Sequence, residues 1–284
     1  MCETNREPNN ILFLVEGEII DTDLVRDMAN NFLDENSIII PHKTNIYNLY
    51  KRINGGDGFE DVFSILQEDD TEKVLPESRD DITSIYLLFD FDGHHLYNNI
   101  GGKEKVVEVI KKMIELFDNE TEIGKLYLSY PMVESIHHFR CDKMRTGVYE
   151  KKIIQCSNSK HGNRQRRYKE ISRSKDYYPD IRALRSYDCG EWDYIITQFL
   201  WACHCLFNED GYLDYTYFIE ECSQKNIFSN QYKYYIAPED NVVVLSAFPS
   251  LILEYFGKKF YDKQKKFFPN CKMKLATSGK KFSH

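Results

Sequence analysis

The sequence predicts an α/β protein, a parallel sheet flanked by helices with a mostly helical C-terminal region. Three observations lead there. Four short runs, "ILFLVE" at 11–16, "SIIIP" at 37–41, "SIYLLFD" at 84–90 and "KLYLSY" at 125–130, are apolar almost without a break. Strands read this way when a sheet buries them on both faces. Segments of helical spacing separate them, which a parallel arrangement needs for its crossovers. Near residue 140 this alternation stops, so the expected division is an α/β core over 1–140 and a basic segment plus mainly helical domain over 141–284.

Taken in order, "TDLVRDMANNFLDE" after the first strand sets Leu24, Met28, Phe32 and Leu33 on one helical face, with Asp21 or Thr22 as the expected cap. "NIYNLYKRI" at 45–53 is helical and "GGDG" at 55–58 breaks it. Residues 57–81 carry ten Asp/Glu against two Lys/Arg and read as a solvated helix and loop. "KEKVVEVIKKMIELF" at 103–117 is the clearest amphipathic helix. "PMVESIHHF" follows the fourth strand and reads as a helix with Pro131 in its first turn. Beyond the basic segment, "EWDYIITQFLWACHCLF", "DYTYFIEECSQKN" and "SLILEYFGKKFYDKQKKFF" read as helices and "NVVVLSAF" as a strand.

Composition narrows the class. Hydrophobic residues make up 42% of 284, enough for a substantial core. The polar "MCETNREPNN" start does not resemble a signal peptide and no apolar run reaches bilayer length, so the expectation is a cytoplasmic protein without a membrane partner. Eight cysteines without a CxxC fit that compartment; Cys203 and Cys205 lie in an apolar helical run and read as buried thiols rather than zinc ligands. Net charge is −8, yet residues 140–185 hold fourteen Lys/Arg against five Asp/Glu. An acidic body with one basic segment argues against a non-specific DNA coat and for a directed polyanion contact.

Carboxylates carry the chemistry. Functional side chains in a parallel sheet gather beyond the carboxyl ends of the strands. The first strand ends at Glu16, the third at Asp90 and Asp92, and the fourth leads into Glu134. Hard divalent cations take such oxygen ligands, and two of them about 4 Å apart clamp the attacking and leaving oxygens of a phosphodiester. Any one of these acids alone would read as a helix cap or loop residue.

"FLVEGEIID" followed by "LLFDFDG" resembles the Toprim signature, a glutamate-glycine after the first strand and a DxD after the third. The acid five residues past the glutamate, Asp21, and the downstream "YPMVESIHHF" resemble OLD-type and RloB-like Toprim proteins of bacterial phage defence. The likeness covers roughly residues 10–140. It implies a Toprim-like sheet and a divalent-metal-dependent nuclease using Mg²⁺ or Mn²⁺. Glu16, Asp90 and Asp92 would be its catalytic metal ligands, and Asp21 and Glu134 accessory or second-metal ligands, with Glu18 as an alternative to Asp21. It further implies a toxic antiviral effector whose ATPase, in the absence of a GxxxxGK[ST] motif here, is a separate partner chain, and it allows a homodimer. "FDFDG" also resembles the haloacid-dehalogenase phosphatases, with Asp90 as nucleophile, Asp92 as acid/base and Ser129 in the second motif. Against this, two strands precede the motif, His94 stands where a threonine is usual, and no later acidic motif follows. A Toprim-derived binding protein without turnover is the third reading.

Lys143, Arg145, Lys160, Arg164, Arg166 and Arg167 are the expected nucleic-acid contacts, for DNA or a structured RNA, with Tyr168 interleaved to stack on a base. Taken alone, 160–170 reads rather as a solvated basic loop; beside the acidic strand ends the two readings stand level. Lys43, after the second strand, is a further candidate for phosphate, and His94 for proton transfer.

Overall fold

The computed structural model describes residues 10–33, 36–43, 45–55, 61–70, 73–91, 102–139, 153–155, 168, 172, 187–207 and 215–264. These fall into two compact units, the first running to Val133 and taking in Tyr187, the second built from Glu134 onward.

The first unit is α/β. Its strands are β1 (Asn10–Val15), β2 (Asn36–Pro41), β3 (Ile82–Asp90), β4 (Asp118–Asn119) and β5 (Gly124–Ser129), in the sheet order β2-β1-β3-β5-β4. The four long strands are parallel and match the four apolar runs; β4 is a two-residue antiparallel edge. Burial explains the runs: Ile11, Leu12, Phe13, Leu14 and Val15 are all at most 1% exposed, so neither face of β1 tolerates a polar side chain. Each such side chain contributes about 1.5–3 kcal/mol relative to exposure. Phe13 stacks on Tyr86 at 5.7 Å, which fixes those two residues on one face of the sheet.

Helices α1 (Ile20–Phe32), α2 (Ile46–Gly55), α3 (Val62–Asp69) and α4 (Lys103–Leu116) fill the crossovers. α1 turns Leu24, Val25, Met28 and Ala29 inward and packs on β1 and β2. It begins at Ile20 with no side-chain cap, so Asp21 and Thr22 lie within its first turn rather than capping it. α3 is capped as the rules require: Asp61 accepts the Ser64 N–H at 3.0 Å. It is not merely solvated, because Val62, Phe63, Ile65 and Leu66 are buried. At the amino end of the sheet, Arg79 donates to the Ile82, Thr121 and Glu122 carbonyls and ties the entry of β3 to the β4–β5 turn. Late in the chain, Tyr187 returns to α1, where its N–H donates to Asp27 at 3.0 Å and its carbonyl accepts from Asn31 at 2.9 Å.

The segment after β5 departs from expectation. The Tyr130–Pro131 peptide is cis, and it leads into a 3₁₀ run, Val133–His138, rather than an α-helix opened by the proline. Phe91 and Tyr130 pack at 5.3 Å, and burial pushes the Tyr130 hydroxyl far above its ordinary value.

The second unit is mainly helical, with α5 (Cys189–Phe207), α6 (Tyr215–Glu221), α7 (Gln224–Gln231) and α8 (Ala247–Gln264). α5 buries nearly its whole circumference, Trp192 through Leu206. Cys203, Cys205 and Cys222 are buried thiols here, and burial with a hydrogen bond to Cys222 holds Cys203 well above the usual thiol range. The segment read as one helix over 214–226 is two, because Ser223 leaves helical geometry and its hydroxyl caps α7 at Asn226 N–H. α7 continues into a π-turn, Tyr232–Ile236. α8 kinks at Gly257, whose φ of 64° suits glycine. β6 (Ile153–Gln155) and β7 (Asn241–Val243) form an antiparallel pair, so only three residues of "NVVVLSAF" are strand. Among the described residues no helix is long and apolar enough to cross a membrane.

Candidate active site

The sheet order dictates where a site belongs. β1 lies between β2 and β3, so the connection leaving β1 turns to one side and the next returns past it to the other. At such a switch point the loops part beyond the carboxyl ends and leave a crevice. Glu16 directly follows β1 and Asp90 closes β3.

Backbone amides fix each of these two carboxylates. The Glu16 N–H donates to the Leu88 carbonyl at 3.3 Å, carrying the β1–β3 ladder one residue further. The Glu16 side chain then turns across, and its Oε2 accepts the Asp90 N–H at 3.1 Å. Asp90 Oδ1 accepts the Val133 N–H at 2.7 Å, a short charge-assisted bond. Asp90 lies in register with Ser129 of β5, whose carbonyl accepts the Phe91 N–H at 3.0 Å. Both acids are half-buried. Oxygen donors aimed by backbone hydrogen bonds suit a hard divalent cation, since such outer bonds orient ligands. Among the described residues no three His, Cys, Asp or Glu side chains form a group that could hold a metal ion. Asp92, the expected third ligand, lies outside the described residues, as does His94.

Asp21 belongs to the same end of the first unit. It is 6% exposed, and a Cβ on Gly17 would stand 2.4 Å from its Oδ2. Glycine at 17 leaves room for a close approach: the loop leaving β1 passes directly under the Asp21 carboxylate. The Thr22 hydroxyl donates to the Gly17 carbonyl at 3.4 Å and holds the same turn. Glu134 falls in the second unit, in the 3₁₀ run, and is 1% exposed. Lys143, Arg145, Lys160, Arg164, Arg166 and Arg167 lie outside the described residues.

Two residues past β2 join this end of the first unit. Lys43, just past β2, takes a left-handed backbone (φ 60°) and pairs with Glu18 at 2.9 Å. His42 donates its backbone N–H to the Val15 carbonyl at 2.7 Å and sets its ring edge-on to Phe89 at 6.0 Å. Burial pulls its imidazole below the usual value; Asp69 opposes that shift and Arg52 adds to it. Lys43 was marked in the sequence by its position after the second strand; His42 beside it was not.

No protein-family model, curated protein or solved structure matches the chain.

Proposed function

We propose that this chain is a divalent-metal-dependent phosphodiesterase that cleaves nucleic acid, with Glu16 and Asp90 as ligands to Mg²⁺ or Mn²⁺. The observation that carries the reading is that two carboxylates at the neighbouring ends of β1 and β3, at the switch point, are each held by a backbone N–H. A stabilising role explains it poorly. A strand end can satisfy its amides with water or a neutral side chain, and half-burying two acids at neighbouring strand ends is costly unless a cation offsets their charge.

Glu16 and Asp90 present oriented oxygens, and Asp92, two residues on, is the natural third ligand. Asp21 shapes the β1–α1 turn from beneath. When bound, the metal would supply Lewis acidity and an acidified water for attack on phosphorus. The toxic effector role in phage defence and the separate ATPase partner come from the Toprim resemblance alone, and the basic segment is the proposed nucleic-acid contact. The register of Asp90 with Ser129 favours the phosphatase as second reading.

The test is cleavage of plasmid, total RNA and a generic phosphomonoester by the purified chain with Mn²⁺, alongside Mn²⁺ binding by calorimetry. Glu16→Gln and Asp90→Asn are expected to lose about a hundredfold or more in nucleic-acid cleavage, near 2.7 kcal/mol in barrier. Both should bind Mn²⁺ more weakly and keep the circular dichroism of the parent. Full activity in Glu16→Gln sinks the proposal, and monoester hydrolysis abolished in Asp90→Asn alone turns it to the phosphatase.

A further inference from the structure

We infer that Lys43 is the residue that grips a substrate phosphate at this site, and that Glu18 occupies it until the phosphate arrives; the inference rests on the nuclease reading above. Lys43 is placed for it. The β1–β2 ladder pairs Val15 with Pro41 and continues through the His42 N–H to the Val15 carbonyl. Lys43 follows two residues after Pro41, and its ion pair with Glu18 sets it against the loop that leaves β1. It is a cation against a loop otherwise lined by Glu16, Glu18 and Asp21.

Its backbone is specialised. A lysine at φ 60° sits where non-glycine residues are uncommon, and such conformations concentrate at ligand sites. Its ion pair suits exchange. Nζ to Oε1 is 2.9 Å, yet the side chains of Lys43 and Glu18 remain 66% and 57% exposed. An exposed pair of this kind contributes little to stability, so a phosphate with more negative charge and more acceptor oxygens displaces the carboxylate readily. Displacement has a second effect, because it releases an acid from the cation on the same turn as Glu16.

The two halves of the pair therefore act with opposite sign on binding, which a purely structural salt bridge does not do. The experiment is anisotropy of a labelled oligonucleotide bound to the full chain in Ca²⁺, across a salt series. Lys43→Asn removes the charge while tolerating the left-handed backbone. It is expected to weaken binding about tenfold and to lower the slope of log K against log salt by about one. Lys43→Arg should restore both, and Glu18→Gln should tighten binding several-fold. Lys43→Asn with unchanged affinity and slope, or Lys43→Asn and Glu18→Gln moving in the same direction, overturns the inference. Cleavage by the same proteins in Mn²⁺ separates it from the nuclease reading. A dead Glu16→Gln beside a normally binding Lys43→Asn removes only the phosphate contact. A fully active Glu16→Gln beside the expected binding changes removes only the catalytic assignment. A parent chain that does not bind the oligonucleotide removes both.

Discussion

In the first unit, Glu16 and Asp90 each take a backbone N–H into a half-buried carboxylate at the end of a strand. In the second, Gln231 is fully buried and gives both ends of its amide to one residue: Nε2 donates to the Val243 carbonyl at 2.7 Å and Oε1 accepts the Val243 N–H at 2.9 Å. Both arrangements satisfy main-chain groups with side chains, but only the second is neutral. Gln231 imitates the backbone of a missing strand and carries no charge to offset. The charged version invites a cation or a proton to complete it. Buried polarity by itself thus says little about function. What separates the two units is charge, together with position at a switch point.

Apart from the Glu16 and Asp90 variants, the substitution with the largest expected effect attacks the neutral side of this contrast. Gln231→Leu leaves two buried main-chain groups unsatisfied, each costing about 1–3 kcal/mol, so chemical denaturation should show a loss of about 2–6 kcal/mol. A loss under about 0.5 kcal/mol would mean that the clasp is not structural. Gly17→Ala tests the charged side. Its Cβ would meet the Asp21 carboxylate, backed by the first turn of α1, and overpacking of this kind costs about 1–3 kcal/mol. The double variant with Asp21→Ala should recover most of the loss, because the clash is with that side chain alone. Asp61→Ala is the control within the first unit, a cap remote in chemistry from the acids. It should cost about 1 kcal/mol and leave Mn²⁺ binding unchanged.

The smallest effect is a pH dependence. Burial keeps the folded-state value of His42 below its unfolded one, so between the two the unfolded chain binds more protons. Its contribution is complete above the unfolded value, near 6.5, and is lost as pH falls towards the folded one. Thermal melts should therefore drop less between about pH 7.5 and 5.5 in His42→Asn than in the parent. An equal drop would mean that the imidazole is not held neutral.

The four parallel strands were legible because two-sided burial writes itself into residue type, five consecutive apolar side chains in β1 being the plainest case. β4 was not, since two residues cannot carry a period. The 3₁₀ run after Pro131 and the break at Ser223 escaped for a related reason: apolar spacing over a few residues does not separate one helical geometry from another, or one helix from two. Of the site, Glu16 and Asp90 were legible as acids at strand ends. Their donors were not, because the N–H groups of Asp90 and Val133 belong to the main chain and leave no trace in residue type. Gly17 was half legible. A turn could be read from it, but not that the side chain pressing on it belongs to Asp21.

The Gln231 clasp also bears on how this chain meets other chains. A two-stranded ribbon such as β6–β7 ordinarily offers, along its outer edge, N–H and C=O groups on which a foreign strand can build. At Val243 both outward groups are already spent on one glutamine, so a strand adding to β7 would find nothing to bond there. Many proteins guard such an edge with lysine, proline or a bulge. Here a buried amide does the same from within, and Gln231→Leu should raise aggregation as well as lower stability.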